Sequence, residues 1–427
     1  MFELNLKACR RAATHRFIVC LFLAFGYFLS PALQAQGQPD TRKMEPCEIK
    51  FVQKIKDAEI HHILCPEPSV EDIPLTGDFS IPPSLFARVR FWHQVFVQLS
   101  VKDYVIHVSD HPHIVLEVVR FPWLNALGTI DSRARNILKA RQRHYKEIFR
   151  RMDQGKTLAS EHIEAARLST ALKAIPGKSR MATLDLRNQK GQRELMHKGL
   201  ENSSLYLTHI EQEFKTRSIP PELGLLAFVE STFNIKAVSK VKASGVYQIM
   251  PFIARQYMKL TAAIDERRDP IKSAAVAAQI LKFNYELLGS WPLAITAYNH
   301  GPYGIKQAVK KAQSSDIAVL IDSYNGRGFG FASQNFYAEF LAILYALKHA
   351  DKHFPDAKIL ASLNFRNETL DRPMRIRDLS KRFGVSVESL HALNPDLSLS
   401  LIRQNGLIPR NFTIKIPLLA NGFSQAR

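Results

Sequence analysis

The sequence predicts a mainly α-helical protein, with an all-α lobe over residues 201–355, a helical region before it and a small α/β module after it. Three observations carry this expectation. Between residues 201 and 355 apolar positions recur at helical spacing, with proline and aspartate starts, glycine stops and scarce strand signals. Upstream, apolar and aromatic residues dominate 82–121 with helical spacing from Val89 to Phe96, a second helix is expected over about 133–151, and after Pro355 two short helical patterns are flanked by strand patterns. A chain of 427 residues is too long for one ordinary core and calls for two or three domains. Its composition, 46% hydrophobic and 23% charged, is that of a globular protein.

The first segment reads as an export signal. Lys7, Arg10, Arg11 and Arg16 precede an apolar run from Phe17 to Leu33, and Ser30, Ala32 and Ala35 offer cleavage sites. We read residues 1–35 as a signal peptide and expect an exported protein of the periplasm or cell envelope. The alternative is an uncleaved anchor, because the run approaches the ~20 residues that span a bilayer. Gly26, Ser30 and Pro31 interrupt that run and favour cleavage. Removing the segment deletes four basic residues and one acid, so the net charge falls from +19 to +16. Such a surface favours an anionic partner, and export points to the cell wall or an anionic membrane face rather than to nucleic acid.

Cys9 and Cys20 leave with the leader, and Cys47 and Cys65 remain. An even pair in an oxidising compartment makes a disulfide the leading reading. The alternative is a zinc site that adds His61 and His62. Adjacent histidines point different ways and the spacing matches no common zinc module. We expect no metal and no cofactor.

Residues 36–200 read as a mostly helical scaffold. The segment 36–80 is rich in Pro, Asp and Glu, which suits a loop-rich start. Val89, Trp92, Val95 and Phe96 then follow helical spacing, and so do Tyr145, Ile148 and Phe149 in the basic stretch 133–151. Two decoys lie here. His107, Ser109, Asp110, His111 and His113 are hydrolase residue types, yet adjacent triad members cannot face one another and no Gly-x-Ser-x-Gly elbow exists. Gly177-Lys178-Ser179 echoes a phosphate loop but has Leu172 where the first glycine belongs.

In the lobe, Pro220-Pro221 opens a helix, and Leu223 to Val229 are apolar apart from Gly224, so this helix should be buried all round. Asp269-Pro270 starts another helix that Gly289 stops; a third holds Leu293–Tyr298, and a fourth carries Phe336, Phe340, Leu341, Leu344 and Leu347. Beyond Pro355, Leu379 and Phe383 mark a short helix closed by Gly384. Val387, Leu390 and Leu393 mark a second, ended by Asn394-Pro395, and Phe412, Ile414 and Ile416 alternate as a strand.

Glu230 is the singular residue. It directly follows the apolar run and lies seven positions after Leu223, on the same helical face. Ionising a carboxylate there costs desolvation energy, so its pKa should rise, as a general acid for a glycosidic oxygen requires. On position alone, a carboxylate turned to solvent at the helix end is an equal reading.

Further marks follow in order: Glu230-Ser231, then Asn234 and Ser239, then Gly245-Val246-Tyr247-Gln248-Ile249-Met250-Pro251, then Ala297-Tyr298-Asn299-His300-Gly301-Pro302. This succession, over roughly residues 205–350, resembles the lytic transglycosylase family with the goose-lysozyme-like fold, above all its membrane-bound type D branch. The resemblance implies a lysozyme-like lobe acting on peptidoglycan glycan strands between N-acetylmuramic acid and N-acetylglucosamine. It implies that Glu230 first protonates the leaving oxygen and then takes the proton from the muramic C6 hydroxyl, giving a 1,6-anhydro end. The substrate acetamido group would take the place of a second carboxylate. Asp265, Glu266 and Asp269 read as helix-start charges.

By motif position the resemblance implies substrate contacts from Ser239 and Gln248, contact with the reacting sugar or Glu230 from Tyr298, and bracing of the loops by Asn299. Ser231 has a substrate-side position but reads better as orienting the backbone after Glu230. Tyr337 stands where the family often has a cleft tyrosine, with core packing as the equal alternative. Tyr247 and Phe252 are aromatic candidates for stacking on sugar. The chain departs from the pattern at Val246-Tyr247, where Leu with Met or Trp is usual, and at His300 and Tyr303. The tail, 356–427, resembles a LysM module of βααβ form, with Ile376-Arg377-Asp378-Leu379 in place of the usual Gly-Asp-Thr-Leu turn, and implies glycan binding. A water-using muramidase and a non-catalytic wall-binding scaffold stay open as alternatives.

Overall fold

The structure is a computed structural model that describes residues 47–64, 78–156, 165–166, 168–169, 172, 175 and 180–418. The expected leader 1–35, Cys65 and Gly177-Lys178-Ser179 lie outside the described residues. Cys47 is disulfide-bonded and buried, with the Gln94 amide donating to its Sγ. Among the described residues no helix is long and apolar enough to cross a membrane.

The all-α lobe and the small α/β module are present, and the N-terminal region corrects one expectation. Residues 36–200, expected to be mostly helical, also carry a five-stranded antiparallel sheet of order β1-β2-β4-β3-β5. Its strands are β1 Glu48–Ile55, β2 Ala58–Leu64, β3 Asp103–Val108, β4 Val115–Arg120 and β5 Leu186–Lys190. The inner strands were hidden because both of their faces are covered. Val105 pairs with Val118, and both join the main core beside the helix Phe86–Val97; Tyr104 pairs with Val119, and both join a second core under the helix Ser132–Asp153. Burial on both sides turns the usual alternation into a continuous apolar run, which has no period to read.

One buried polar group ties the sheet to the helix over that second core. Glu117 on β4 is wholly buried and accepts from Arg141 Nη2 at 2.6 Å and from the Tyr145 hydroxyl at 3.0 Å, both on Ser132–Asp153. A carboxylate there is tolerable only because it is paired and bonded.

The lobe continues the first core without a break at residue 200. Arg88 Nη1 and Trp92 Nε1 both donate to Asn335 Oδ1, at 2.9 and 3.0 Å, and fasten Phe86–Val97 to the helix Phe331–Lys348. Phe331–Lys348 is the spine of the lobe: it also packs on Trp291–His300 and on Leu226–Ser231. Asp269 caps Pro270–Leu288 by accepting from the amides of Ile271 and Lys272, and Gly289 ends it in the left-handed conformation, as the sequence predicts.

In the C-terminal module β6 Phe365–Thr369 pairs with β9 Thr413–Pro417, and β7 Met374–Arg375 pairs with β8 Leu407–Ile408. Between them lie the helices Ile376–Phe383, Val387–Leu393 and Leu399–Arg403, with Gly384 left-handed after the first. Ile264 of the lobe enters the module's core. Beside it Lys272 Nζ donates to Asp396 at 2.7 Å and Glu266 at 3.1 Å, and Lys415 donates to the buried Asp269.

Arg141→Ala should destabilise the sheet layer by about 3–5 kcal/mol, because it strands a buried charge. Joint replacement of Arg141 by Met and Glu117 by Leu should recover most of that loss, as read by chemical denaturation.

Candidate active site

The segment before Glu230 folds as a 3-10 turn, Pro221–Leu225, that runs into the six-residue α-helix Leu226–Ser231. The sequence suggested one helix from the prolines onward. The tighter turn brings the Gly224 carbonyl to the Tyr247 hydroxyl, which donates to it at 2.9 Å. Leu223, Leu226, Ala227 and Phe228 are buried, and Thr232 and Phe233, both at positive φ, turn the chain away just after Glu230.

Glu230 thus stands in the last turn of a helix rooted in the core. The residue is half-buried, and no hydrogen bond or ion pair reaches its carboxylate among the described residues. Burial pushes its pKa up to about 8. The negative end of the helix acts in the same direction. At neutral pH the group is a carboxylic acid, able to give a proton.

The second motif is a loop locked onto that helix. Gly245 sits at φ +78°, and a Cβ there would lie 1.7 Å from the Arg267 carbonyl oxygen, so only glycine fits. Arg267, held by Asp265, donates to the carbonyls of Lys242 at 2.7 Å and Ile249 at 3.1 Å. Ser231 Oγ donates to the carbonyls of Val246 at 2.9 Å and Ala227 at 3.1 Å, and it accepts from the Asn234 amide. This is the bracing reading of Ser231; its hydroxyl is committed to the fold. Val246 and Tyr247 are fully buried, so this departure from the family pattern is core packing, and Tyr247 cannot stack on a sugar.

Two residues of this loop keep polar atoms near the surface. Gln248, half-buried at φ +46°, donates its amide to the carbonyls of Gly245 at 2.9 Å and Ala237 at 3.4 Å. Its side-chain oxygen makes no bond among the described residues and is left as an acceptor. Ser239 accepts from the Ala243 amide at 3.0 Å and closes its own turn, half-buried.

The third motif completes the frame. The half-buried Tyr298 donates to the Tyr247 carbonyl at 2.9 Å. Burial, then the nearby Glu230 and Tyr247, hold its phenol well above the ordinary range, so it stays neutral. Asn299 is exposed and accepts from Ser333 on the spine helix at 3.0 Å, and the His300 ring meets the same hydroxyl. Phe252 and Tyr303 are 58% and 64% exposed, which leaves them open to a ligand.

Tyr337 is corrected. It is 1% exposed and belongs to the main core, so it lines no cleft. The residue that sequence reasoning missed is Glu339, two positions on. Burial and then Glu230 push its carboxyl up to about 8, so it lies within the field of the acid. The signal that singled out Glu230 applies here too: Glu339 is the one charged residue between Phe336 and Ala346. Among the described residues no group of three or more His, Cys, Asp or Glu is arranged to hold a metal ion.

Residues 208–321 match the Transglycosylase SLT domain family. The chain is 26% identical over 313 residues to the membrane-bound lytic murein transglycosylase D of Escherichia coli strain K12, covering 69% of this chain and 66% of that one. The same figures hold for its counterpart in strain O6:H1. The match therefore spans slightly under two thirds of those relatives' own length. Among solved structures, the 70 kDa soluble lytic transglycosylase of Escherichia coli is 17% identical, with 51% of this chain and 45% of that chain covered at a TM-score of 0.29, too slight a likeness to carry an argument.

A carboxyl lifted by burial stabilises the fold only while it is protonated. With a folded pKa of about 8 against an unfolded 4.5, that contribution is full below about pH 4.5 and is lost as pH rises through 8. Glu230→Gln should accordingly unfold at a higher temperature than the native protein above pH 8, with the gap closing towards pH 4, in thermal melts across that range.

Proposed function

Taking as premise a chain whose residues 208–321 belong to the Transglycosylase SLT domain family, we propose that it is an exported peptidoglycan lytic transglycosylase with Glu230 as its single acid/base group. The observation that carries the reading is the unpartnered carboxyl of Glu230, protonated at neutral pH inside a frame of three interlocked motifs. Such a group is what cleavage of a β-1,4 glycosidic bond needs, since the leaving oxygen must gain a proton as it departs.

In the proposed reaction Glu230 gives its proton to the oxygen between N-acetylmuramic acid and N-acetylglucosamine, and the bond from C1 to that oxygen breaks. The substrate's acetamido oxygen supports the positive centre at C1. The C6 hydroxyl then attacks C1 and passes its proton to the Glu230 carboxylate, which closes the 1,6-anhydro ring and restores the acid. Gln248 is suited to accept from the acetamido N–H, because its amide nitrogen is already committed and its oxygen is not. Tyr298, tied to the Tyr247 carbonyl, holds the loop beside the acid, while Ser239 and Asn299 frame the sugar-binding side. The C-terminal module would add affinity for the glycan strand, and the basic surface would hold the enzyme on the wall or an anionic membrane face.

Glu230→Gln should lower glycan cleavage by about 10²–10⁴-fold, the usual worth of a positioned acid/base group. Mass spectrometry of digested peptidoglycan should find anhydro-muramic ends from the native protein. Reducing ends would instead mean a muramidase, wall binding without turnover a scaffold, and unchanged cleavage by Glu230→Gln another acid. Because the protonated form is the active one, kcat/KM should fall as pH rises through about 8.

A further inference from the structure

A cavity of about 370 Å³ lies where the lobe meets the C-terminal module, within the range of about 300–1,000 Å³ usual for small-ligand sites. The lobe contributes Tyr257, which ends the helix Pro251–Tyr257, and Ile271, Ala275, Val276 and Gln279 of Pro270–Leu288. The module contributes Phe365 and Asn367 of β6 and Thr413 of β9. The helix Pro251–Tyr257 begins three residues after Gln248, so about 10 Å of helix joins the second motif to the cavity. The proposed reaction uses none of these residues.

Charge narrows what the cavity can hold. Lys272 has three N–H donors and all are spent, on Asp396 at 2.7 Å, the Thr413 carbonyl at 2.9 Å and Glu266 at 3.1 Å. Lys415 is buried and donates to the buried Asp269. The lining therefore has no cation to spare for an anionic ligand. Its acids are committed as well: Glu266 also accepts from the Lys259 amide at 2.7 Å, and Glu213 accepts from Arg217 Nη1 at 2.7 Å. With both signs answered inside the protein, the cavity suits a neutral ligand.

What stays free is amphipathic. Ile271, Ala275 and Val276 give apolar surface. Tyr257 is 57% exposed and has no ring contact or hydrogen bond among the described residues, and Phe365 is half-buried beside His209. Gln279 and Asn367 are exposed, and their side-chain amides make no hydrogen bond among the described residues. Each of these amides offers both donors and an acceptor. An N-acetylated sugar matches that set, with an apolar ring face for the aromatic side and an acetamido N–H and C=O for the amides.

We propose that this cavity is a second saccharide site, which seats an N-acetylglucosamine unit of a glycan strand on Tyr257 and bonds its acetamido group through Gln279 and Asn367. The site is composite, since Tyr257 and Gln279 belong to the lobe and Asn367 to the module. That the strand is wall glycan rests on the reading of Glu230 as the acid of a glycan-cleaving site.

The test titrates the N-acetylglucosamine tetramer into the full chain carrying Glu230→Gln, so that no turnover intervenes. Nitrogen-15 NMR follows the Gln279 and Asn367 side-chain amides, each assigned by its loss on substitution with alanine. Both signals should shift saturably. Tyr257→Ala should raise the Kd read from them about tenfold, the scale of one lost aromatic contact. Tyr257 is largely exposed, so its removal leaves the core intact. The fully deacetylated tetramer, a cation without acetamido groups, should bind more weakly. Signals that do not move, a Kd unchanged by Tyr257→Ala, or equal or tighter binding of the deacetylated tetramer overturns the proposal. The titration reads no cleavage. A failed reading of Glu230 would show instead as native protein that leaves peptidoglycan uncut while the amide shifts persist.

Discussion

A half-buried carboxyl with no hydrogen bond and no countercharge among the described residues is the constraint around which this lobe is arranged. A lone acid in such a place draws nearby donors, and one good hydrogen bond to the charged form would bring its pKa back down. The site resists this by occupying its donors elsewhere. Ser231, Tyr247, Tyr298, Gln248 and Arg267 each spend a side-chain donor on a backbone carbonyl. Those bonds rigidify three chain segments and also leave the acid with nothing to pair with. On the proposed function the same contacts serve packing and chemistry.

The spine helix makes this arrangement continuous with the rest of the molecule. Asn335 accepts from both donors of the helix Phe86–Val97, Ser333 donates to Asn299, and Glu339 lies in the field of Glu230. Phe340 meets Phe79, which precedes the helix Phe86–Val97, edge to face. The N-terminal layer and the helix of Glu230 thus pack on one shared element.

What was legible in the sequence was local. Asp269-Pro270, Gly289 and Gly384 announce their helix ends by side-chain capping or by a left-handed backbone, and each acts within a few residues. Glu230 was legible because an acid after an apolar run is conspicuous. The sheet was not, because its central strands are buried on both faces. The roles of Ser231 and Gln248 were not, because their bonds join segments 11 to 15 residues apart in a fold that spacing does not describe. Tyr337 and Glu339 show the limit most clearly. Two residues apart, they point about 200° away from each other. A helix apolar on every side offers no phase by which to choose the one that faces the acid.

The ionic cluster of Asp269, Lys415, Lys272, Asp396 and Glu266 limits how far lobe and tail can be exchanged separately. Asp269 caps a central helix of the lobe and is itself neutralised by Lys415 of the tail. Domains strung on a linker can be traded between genes like beads, because each leaves a water-tolerant surface behind. Here, deletion of the tail would expose the cap and strip a buried anion of its cation, and a transplanted tail would carry Asp396 into a host without Lys272. Lobe and tail therefore depend on each other for charge balance, and neither keeps its buried charges paired without the other.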